Sequence, residues 1–121
     1  MEELMLSESE HRLMDVIWRH APIESGKLVK VCETELNWKK STTYTMLRKL
    51  IAKQMVKNED SLVSVLVERD QVQMFESRRV VKRTFGGSLP SFLLSFLEDK
   101  SLSDSEADEL IKIIEDYRNE K

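Results

Sequence analysis

Apolar positions recur at helical spacing through the first third of the chain and then switch to alternation. Leu13, Val16 and Ile17 form one stripe, widened by Met14 and Trp18, which predicts a helix running to about His20. Ser7-Glu8-Ser9-Glu10 places a hydroxyl three residues before a carboxylate, the S-x-x-E pattern that caps a helix start. Ala21-Pro22-Ile23 stops that helix, because proline excludes helical backbone from the residue before it. Ser25 is expected to cap a second helix carrying Leu28, Val29, Cys32 and Leu36 at core spacing. A third is expected from about Ser41 to Gln54, with Trp38 just ahead of it. Within it, positions 43, 47, 50 and 54 share one side, and 41, 42, 45 and 49 the other.

Met55-Val56-Lys57 and Val63-Ser64-Val65-Leu66-Val67 are β-branched runs separated by Asn58-Glu59-Asp60-Ser61, the pattern of a small hairpin. Beyond it the helical period returns. Asp70 is a candidate cap for a helix with Val72, Phe75, Val80, Val81 and Phe85, ended by Gly86-Gly87. Leu89, Phe92, Leu93, Phe96 and Leu97 make a short amphipathic segment. Ser103-Asp104-Ser105-Glu106 repeats the capping pattern ahead of Leu110, Ile111, Ile114 and Tyr117.

Three short helices followed by a hairpin describe a winged helix-turn-helix. The expected fold is therefore mostly α with a small β-hairpin: an N-terminal winged helix-turn-helix over residues 1–69, then a three-helix C-terminal dimerisation region over 70–121. Those last helices are too short and too apolar to cover their own faces. Packing on the first domain is one solution and exchange with a second copy is the other; the prevalence of twofold dimers favours a homodimer. Its expected contacts are Phe75 and Phe85, then Leu89, Phe92, Leu93, Phe96 and Leu97, then Leu110, Ile111 and Ile114.

The outer side of the third helix carries the candidate chemistry. Ser41, Thr42 and Thr45 are ordinary-to-poor helix formers, and a helix chosen for stability alone would more often carry Glu, Gln or Ala there. Short hydroxyls beside a cation, with no carboxylate among them, suit base edges and phosphates of double-stranded DNA. Ser41, Thr42, Tyr44 and Thr45 are the expected base readers; Lys39, Lys40, Arg48 and Lys49 are the expected phosphate holders, with a guanine contact open to Lys49. The wing is expected to touch flanking phosphates.

Overall charge runs contrary to nucleic acid, since the net is −3. Its distribution removes the conflict. Residues 1–85 hold 15 Lys and Arg against 13 Asp and Glu, whereas 86–121 hold 4 against 9. Within 27–57 stand Lys27, Lys30, Lys39, Lys40, Arg48, Lys49, Lys53 and Lys57 against Glu33 and Glu35 only. Phosphate feels that local patch, because charges beyond a Debye length of about 8 Å are largely screened.

The 121 residues, 40% of them hydrophobic and 34% charged, suit a globular protein with few elaborate loops, since Gly (3) and Pro (2) are scarce. A single cysteine, Cys32, excludes an intramolecular disulfide; it is expected as a core thiol in a reducing cytoplasm. No apolar run approaches the roughly 20 residues of a membrane span, so no membrane insertion is expected. His11 and His20 fall on roughly opposite sides of one helix and cannot share a metal within one chain. With no GxGxxG, P-loop or HExxH, no cofactor, metal or enzymatic activity is expected.

The chain resembles the BlaI/MecI/CopY family of bacterial repressors, also called penicillinase repressors. The resemblance covers nearly the whole length. It rests on Leu6-Ser7-Glu8-Ser9-Glu10 leading into Val16-Ile17-Trp18, on Trp38 with the run Lys39 to Leu50, on Phe85-Gly86-Gly87-Ser88, and on Phe96-Leu97-Glu98-Asp99 before Leu102-Ser103. It implies a homodimeric winged-helix repressor on palindromic operators, with Thr42, Thr45 and Lys49 against DNA. The copper-responsive branch ends in Cys-x-Cys, which is missing here, so soft-metal sensing is not expected. In the antibiotic-responsive branch a membrane metalloprotease-type sensor triggers cutting of an Asn-Phe bond. The matching position here is Ser95-Phe96, which keeps the Phe and lacks the Asn. The wing also lacks the Gly and Tyr common in relatives. Two other readings remain open on the residues alone: a winged-helix protein-interaction module, and a MarR-like regulator that answers to a small ligand.

Overall fold

Ser7 opens the first helix by a reciprocal exchange: its Oγ accepts from the Glu10 N–H at 3.2 Å, and its own N–H donates to Glu10 Oε1 at 2.8 Å. The computed structural model describes residues 5–118 and gives nine elements. In chain order they are α1 (Glu8–His20), β1 (Ile23–Glu24), α2 (Ser25–Leu36), α3 (Lys40–Ala52), β2 (Val56–Glu59), β3 (Leu62–Val65), α4 (Arg69–Phe85), α5 (Leu89–Leu97) and α6 (Asp104–Tyr117). Mostly helical with a small antiparallel sheet, this is the winged-helix class followed by a helical region. Two compact units divide it, residues 1–80 and 81–121.

In the first unit the helical stripes meet as the period requires. Leu13, Met14, Val16 and Ile17 of α1, Leu28 and Cys32 of α2, and Leu47 and Leu50 of α3 are buried together. Met55, Val56, Val63 and Val72 complete that core, so the sheet and the start of α4 belong to it. Burial of a Leu or Val side chain contributes on the order of 1.5–3 kcal/mol, and these residues dominate the unit's stability.

Several expected local features fall differently. Ser25 is not a cap: Glu24 occupies that place without a side-chain hydrogen bond, and Ser25 is the first residue of α2. The reason is strand β1, which the sequence pattern does not indicate. Ile23 and Glu24 pair with Val63 and Leu62, and the Ser25 N–H donates to the Ser61 carbonyl at 2.8 Å. A two-residue strand carries no periodicity to detect. The sheet order is β1-β3-β2.

Gln54 does not share the buried side of α3, which ends at Ala52. It sits exposed at φ 62° as the left-handed residue of a Schellman stop. Its N–H donates to the Ile51 carbonyl, and the Met55 N–H to the Leu50 carbonyl, which satisfies the last orphan acceptors. The wing turn is tighter than expected: Glu59 pairs with Leu62, leaving only Asp60 and Ser61 between strands. Both are left-handed, φ 53° and 66°, the mirror-type turn whose twist suits a hairpin. Asp and Ser thus do what Gly does elsewhere.

Asp70 lies inside the first turn of α4 rather than capping it. Gln71 supplies the acceptor instead, its Oε1 taking the Glu68 N–H at 2.8 Å. α4 is fastened to α1 by three contacts: Glu76 to His11, Arg69 to Asp15 at 2.8 Å, and the Arg69 guanidinium 4.8 Å over the Trp18 ring. Trp18 in turn donates its Nε1–H to the Val67 carbonyl at 2.9 Å.

In the second unit, α4 ends at Gly86 and Gly87, both at positive φ. Ser103 caps α6 as the sequence indicates, accepting from the Glu106 N–H, and Ser88 caps α5 in the same way through the Ser91 N–H. Phe92 stands between Phe85 and Phe96, at ring separations of 5.4 and 5.9 Å. Yet no described residue of α5 or α6 is fully buried. Apolar helices with no buried residue are an incomplete core.

Candidate nucleic-acid interface

α3 presents two edges because its period is 3.6. Thr43, Leu47 and Leu50 point into the core, and Ser41, Thr42, Thr45, Arg48 and Lys49 remain exposed on the opposite side. Lys39 is the N-cap and Lys40 the first helical residue, both exposed. Lys39 offers no side-chain acceptor, so no cap hydrogen bond satisfies the first-turn N–H groups. Those donors and the helix dipole favour an anion there. Arg48 leans back on Thr45, Nη2 to Oγ1 at 3.5 Å.

Seven of the eight expected contact residues are thus brought together on open surface. Tyr44 is set apart. It is half-buried against the core, and its hydroxyl donates to Ser25 Oγ at 3.5 Å. Ser25 also holds the wing turn through Ser61, so one residue ties α3 to the sheet.

The structure corrects the charge inventory. Lys53 belongs elsewhere: its Nζ donates to Glu10 Oε1 at 2.6 Å and to the Met5 carbonyl at 2.8 Å. Burial pushes the Glu10 carboxyl up, but Lys53 and the Ser7 N–H outweigh it and hold the group below the ordinary carboxylate range. Lys57 faces Glu59 at 3.4 Å, and the wing tip continues with Asp60, which leaves that hairpin without a surplus cation. Conversely, Glu35 is paired with Arg19, 2.6 Å distant, whose hydrogen bond keeps its carboxyl low. Lys27, Lys30, Lys39, Lys40, Arg48 and Lys49 make no ion pair among the described residues. Sequence reasoning could not assign Lys53 its partner, since Glu10 lies 43 residues away.

Cys32 is fully buried. Burial pushes its thiol up, the Thr43 hydroxyl works slightly the other way, and the charge of Glu35 adds to the rise. Thr43 Oγ1 lies near that sulfur without reaching hydrogen-bond geometry and has no partner among the described residues. His11 and His20 face different carboxylates, Glu76 and Glu35. Among the described residues no three His, Cys, Asp or Glu converge as a metal site, and no helix is long and apolar enough to cross a membrane.

In the second unit Phe85, Phe92, Leu93, Leu97 and Leu110 are half-buried, as is Phe75 in the first. Leu89, Phe96, Ile111 and Ile114 are all more than half exposed. Leu94, Ile113 and Tyr117 are also more than half exposed and lie outside the expected contact set, although Tyr117 continues the stripe of α6. Ser95 and Phe96 lie exposed within α5.

Comparison with known proteins gives one consistent answer. The penicillinase repressor family model matches residues 6–116. A penicillinase repressor of Bacillus licheniformis is 32% identical, covering 96% of this chain and 94% of its own. The methicillin resistance regulatory protein MecI of Mammaliicoccus sciuri is 23% identical over 90% of this chain and 92% of its own. A penicillinase repressor of Staphylococcus aureus is 22% identical over 95% and 94%. With its six helices, small sheet and full-length match, the chain belongs to the penicillinase repressor family.

Proposed function

We propose that this protein is a transcriptional repressor that binds palindromic operators in double-stranded DNA as a homodimer. The observation that carries it is the exposed edge of α3, where hydroxyls and cations stand together without a carboxylate. Thr42 and Thr45 read base edges, with Ser41 beside them; Lys39, Lys40, Arg48 and Lys49 hold phosphates, and Lys49 reaches a guanine. Tyr44 contributes by fixing the helix on Ser25 and offers the duplex only its exposed flank. Residues 1–69 serve as the DNA-binding part and 70–121 as the dimerisation part. The apolar side chains left open on α5 and α6 support a second copy as the missing half of that core.

Release of the operator follows cleavage between Ser95 and Phe96 by a pathway under a membrane metalloprotease-type sensor. Both residues are accessible, but they are helical, so cutting requires α5 to open locally. The test of the whole reading is footprinting on the chain's own upstream region with sedimentation of the same preparation. A dimer that protects two symmetric half-sites supports it. A monomer that leaves the promoter unprotected at modest salt overturns it.

A further inference from the structure

The distal half of α4 carries Arg78, Arg79, Lys82 and Arg83, four cations within six residues. At about 100° per residue they occupy one arc of the helix, and the pairs 78/82 and 79/83 sit one turn apart, where like charges repel. None of the four forms an ion pair among the described residues. Of the helix's own acids, Glu76 is taken by His11, and Asp70 lies two turns or more away. Such a stripe destabilises an isolated helix, so an external anionic partner is the physical expectation.

The duplex bound by α3 is the competing partner, and the experiment separates the two. α4 is fastened to α1 through His11, Asp15 and Trp18, and α3 turns its buried edge toward the same helix. The reading edge therefore faces away from the element that holds α4.

The complementary charge stands on the last helix. Asp104, Glu106, Asp108 and Glu109 of α6 are all without a cation among the described residues, and Asp104, Glu106, Asp108 and Glu109 line its first two turns. They flank an apolar strip of the half-buried Leu110 and the exposed Ile111 and Ile114. On α4 the cations likewise adjoin the half-buried Val81 and Phe85. Apolar strips with rims of opposite sign are the anatomy of one interface divided between two surfaces.

We infer that the α4 cations of one protomer pair with the first two turns of α6 of a second copy, making an electrostatic clasp around the apolar dimer core. This rests on the homodimer reading above. The clasp aligns the two chains in one register, since sliding either helix by a turn sets charge against apolar surface. It also makes self-association weaken as salt rises, the opposite sign to apolar burial, which excluded salts strengthen.

The test uses full-length protein in two charge-reversed forms: Arg78→Glu with Lys82→Glu and Arg83→Glu, and Glu106→Lys with Asp108→Lys and Glu109→Lys. Circular dichroism checks that each remains helical, and sedimentation equilibrium reads association. Each form alone is expected to self-associate about ten- to hundredfold more weakly than the parent, and a mixture of the two to recover near-parental affinity as heterodimers. Recovery in the mixture also guards against misfolding as the cause of either loss. The proposal is overturned if both forms dimerise like the parent, or if the mixture fails to recover. It is equally overturned if reversal on α4 weakens DNA binding while dimerisation is unchanged. A parent chain that is monomeric at all concentrations defeats the homodimer reading itself, whereas a dimeric parent with indifferent variants defeats only the clasp.

Discussion

Replacing Lys40 by alanine is the most informative single perturbation. Lys40 is the first residue of α3, exposed, and free of any acidic partner among the described residues. Its removal therefore disturbs no packing and no ion pair, and the fold should be unchanged. Every phosphate that is no longer neutralised lowers the slope of log affinity against log salt by about 0.9. A homodimer carries Lys40 twice, so the slope should flatten by about 1.8. Taking 1 M salt as the reference, that corresponds to roughly 30-fold weaker binding at about 0.15 M. The weakening should be the same on operator and on random duplex, because phosphate carries no sequence information. Fluorescence anisotropy titrations of both duplexes over a series of salt concentrations measure the slope and the affinities together. An unchanged slope refutes the assignment of Lys40 to phosphate. A change near 0.9 shows that one protomer of the complex engages DNA, and it refutes symmetric binding.

Further expectations concern specificity, stability and reactivity. Thr45→Ala should weaken operator binding by about 1–3 kcal/mol per half-site and leave random-duplex binding and the salt slope unaltered; parallel weakening on both duplexes would contradict a base contact. Glu10→Ala removes the helix cap and strands Lys53, a destabilisation of about 2–3 kcal/mol, or roughly 10 °C in the melting of the first unit. Because the Glu10 carboxyl is held low in the folded state, its contribution is complete above the ordinary carboxylate range and fades as pH falls through the lowered value. The gap between parent and variant melting temperatures should therefore narrow in acid, and a constant gap would argue against the ion pair. Cys32 should resist thiol reagents at about pH 8 in the native protein and react at once in denaturant, since burial raises its thiol and blocks access.

The helices were legible because their determinants are local. A capping box spans four residues, and a stripe of Leu13, Val16 and Ile17 repeats within one and a half turns. The exposed edge of α3 was readable for the same reason: once Thr43, Leu47 and Leu50 define the inner side, the 3.6 period places Thr42, Thr45 and Lys49 outside. Glycine at the end of α4 and serine ahead of α6 acted likewise.

What required the folded chain was every partnership across distance. Strand β1 exists only because Ile23 and Glu24 meet Val63 and Leu62, which no two-residue pattern announces. Ser25 became a junction between Tyr44 and Ser61, although its type and position suggested a cap. Lys53 left the cationic patch and Glu35 was neutralised beside it, because ion pairs depend on where carboxylates arrive in space. Side-chain period is a property of the backbone helix and is written in the sequence; which charges remain available to a ligand is a property of the assembled surface, and only tertiary structure decides it.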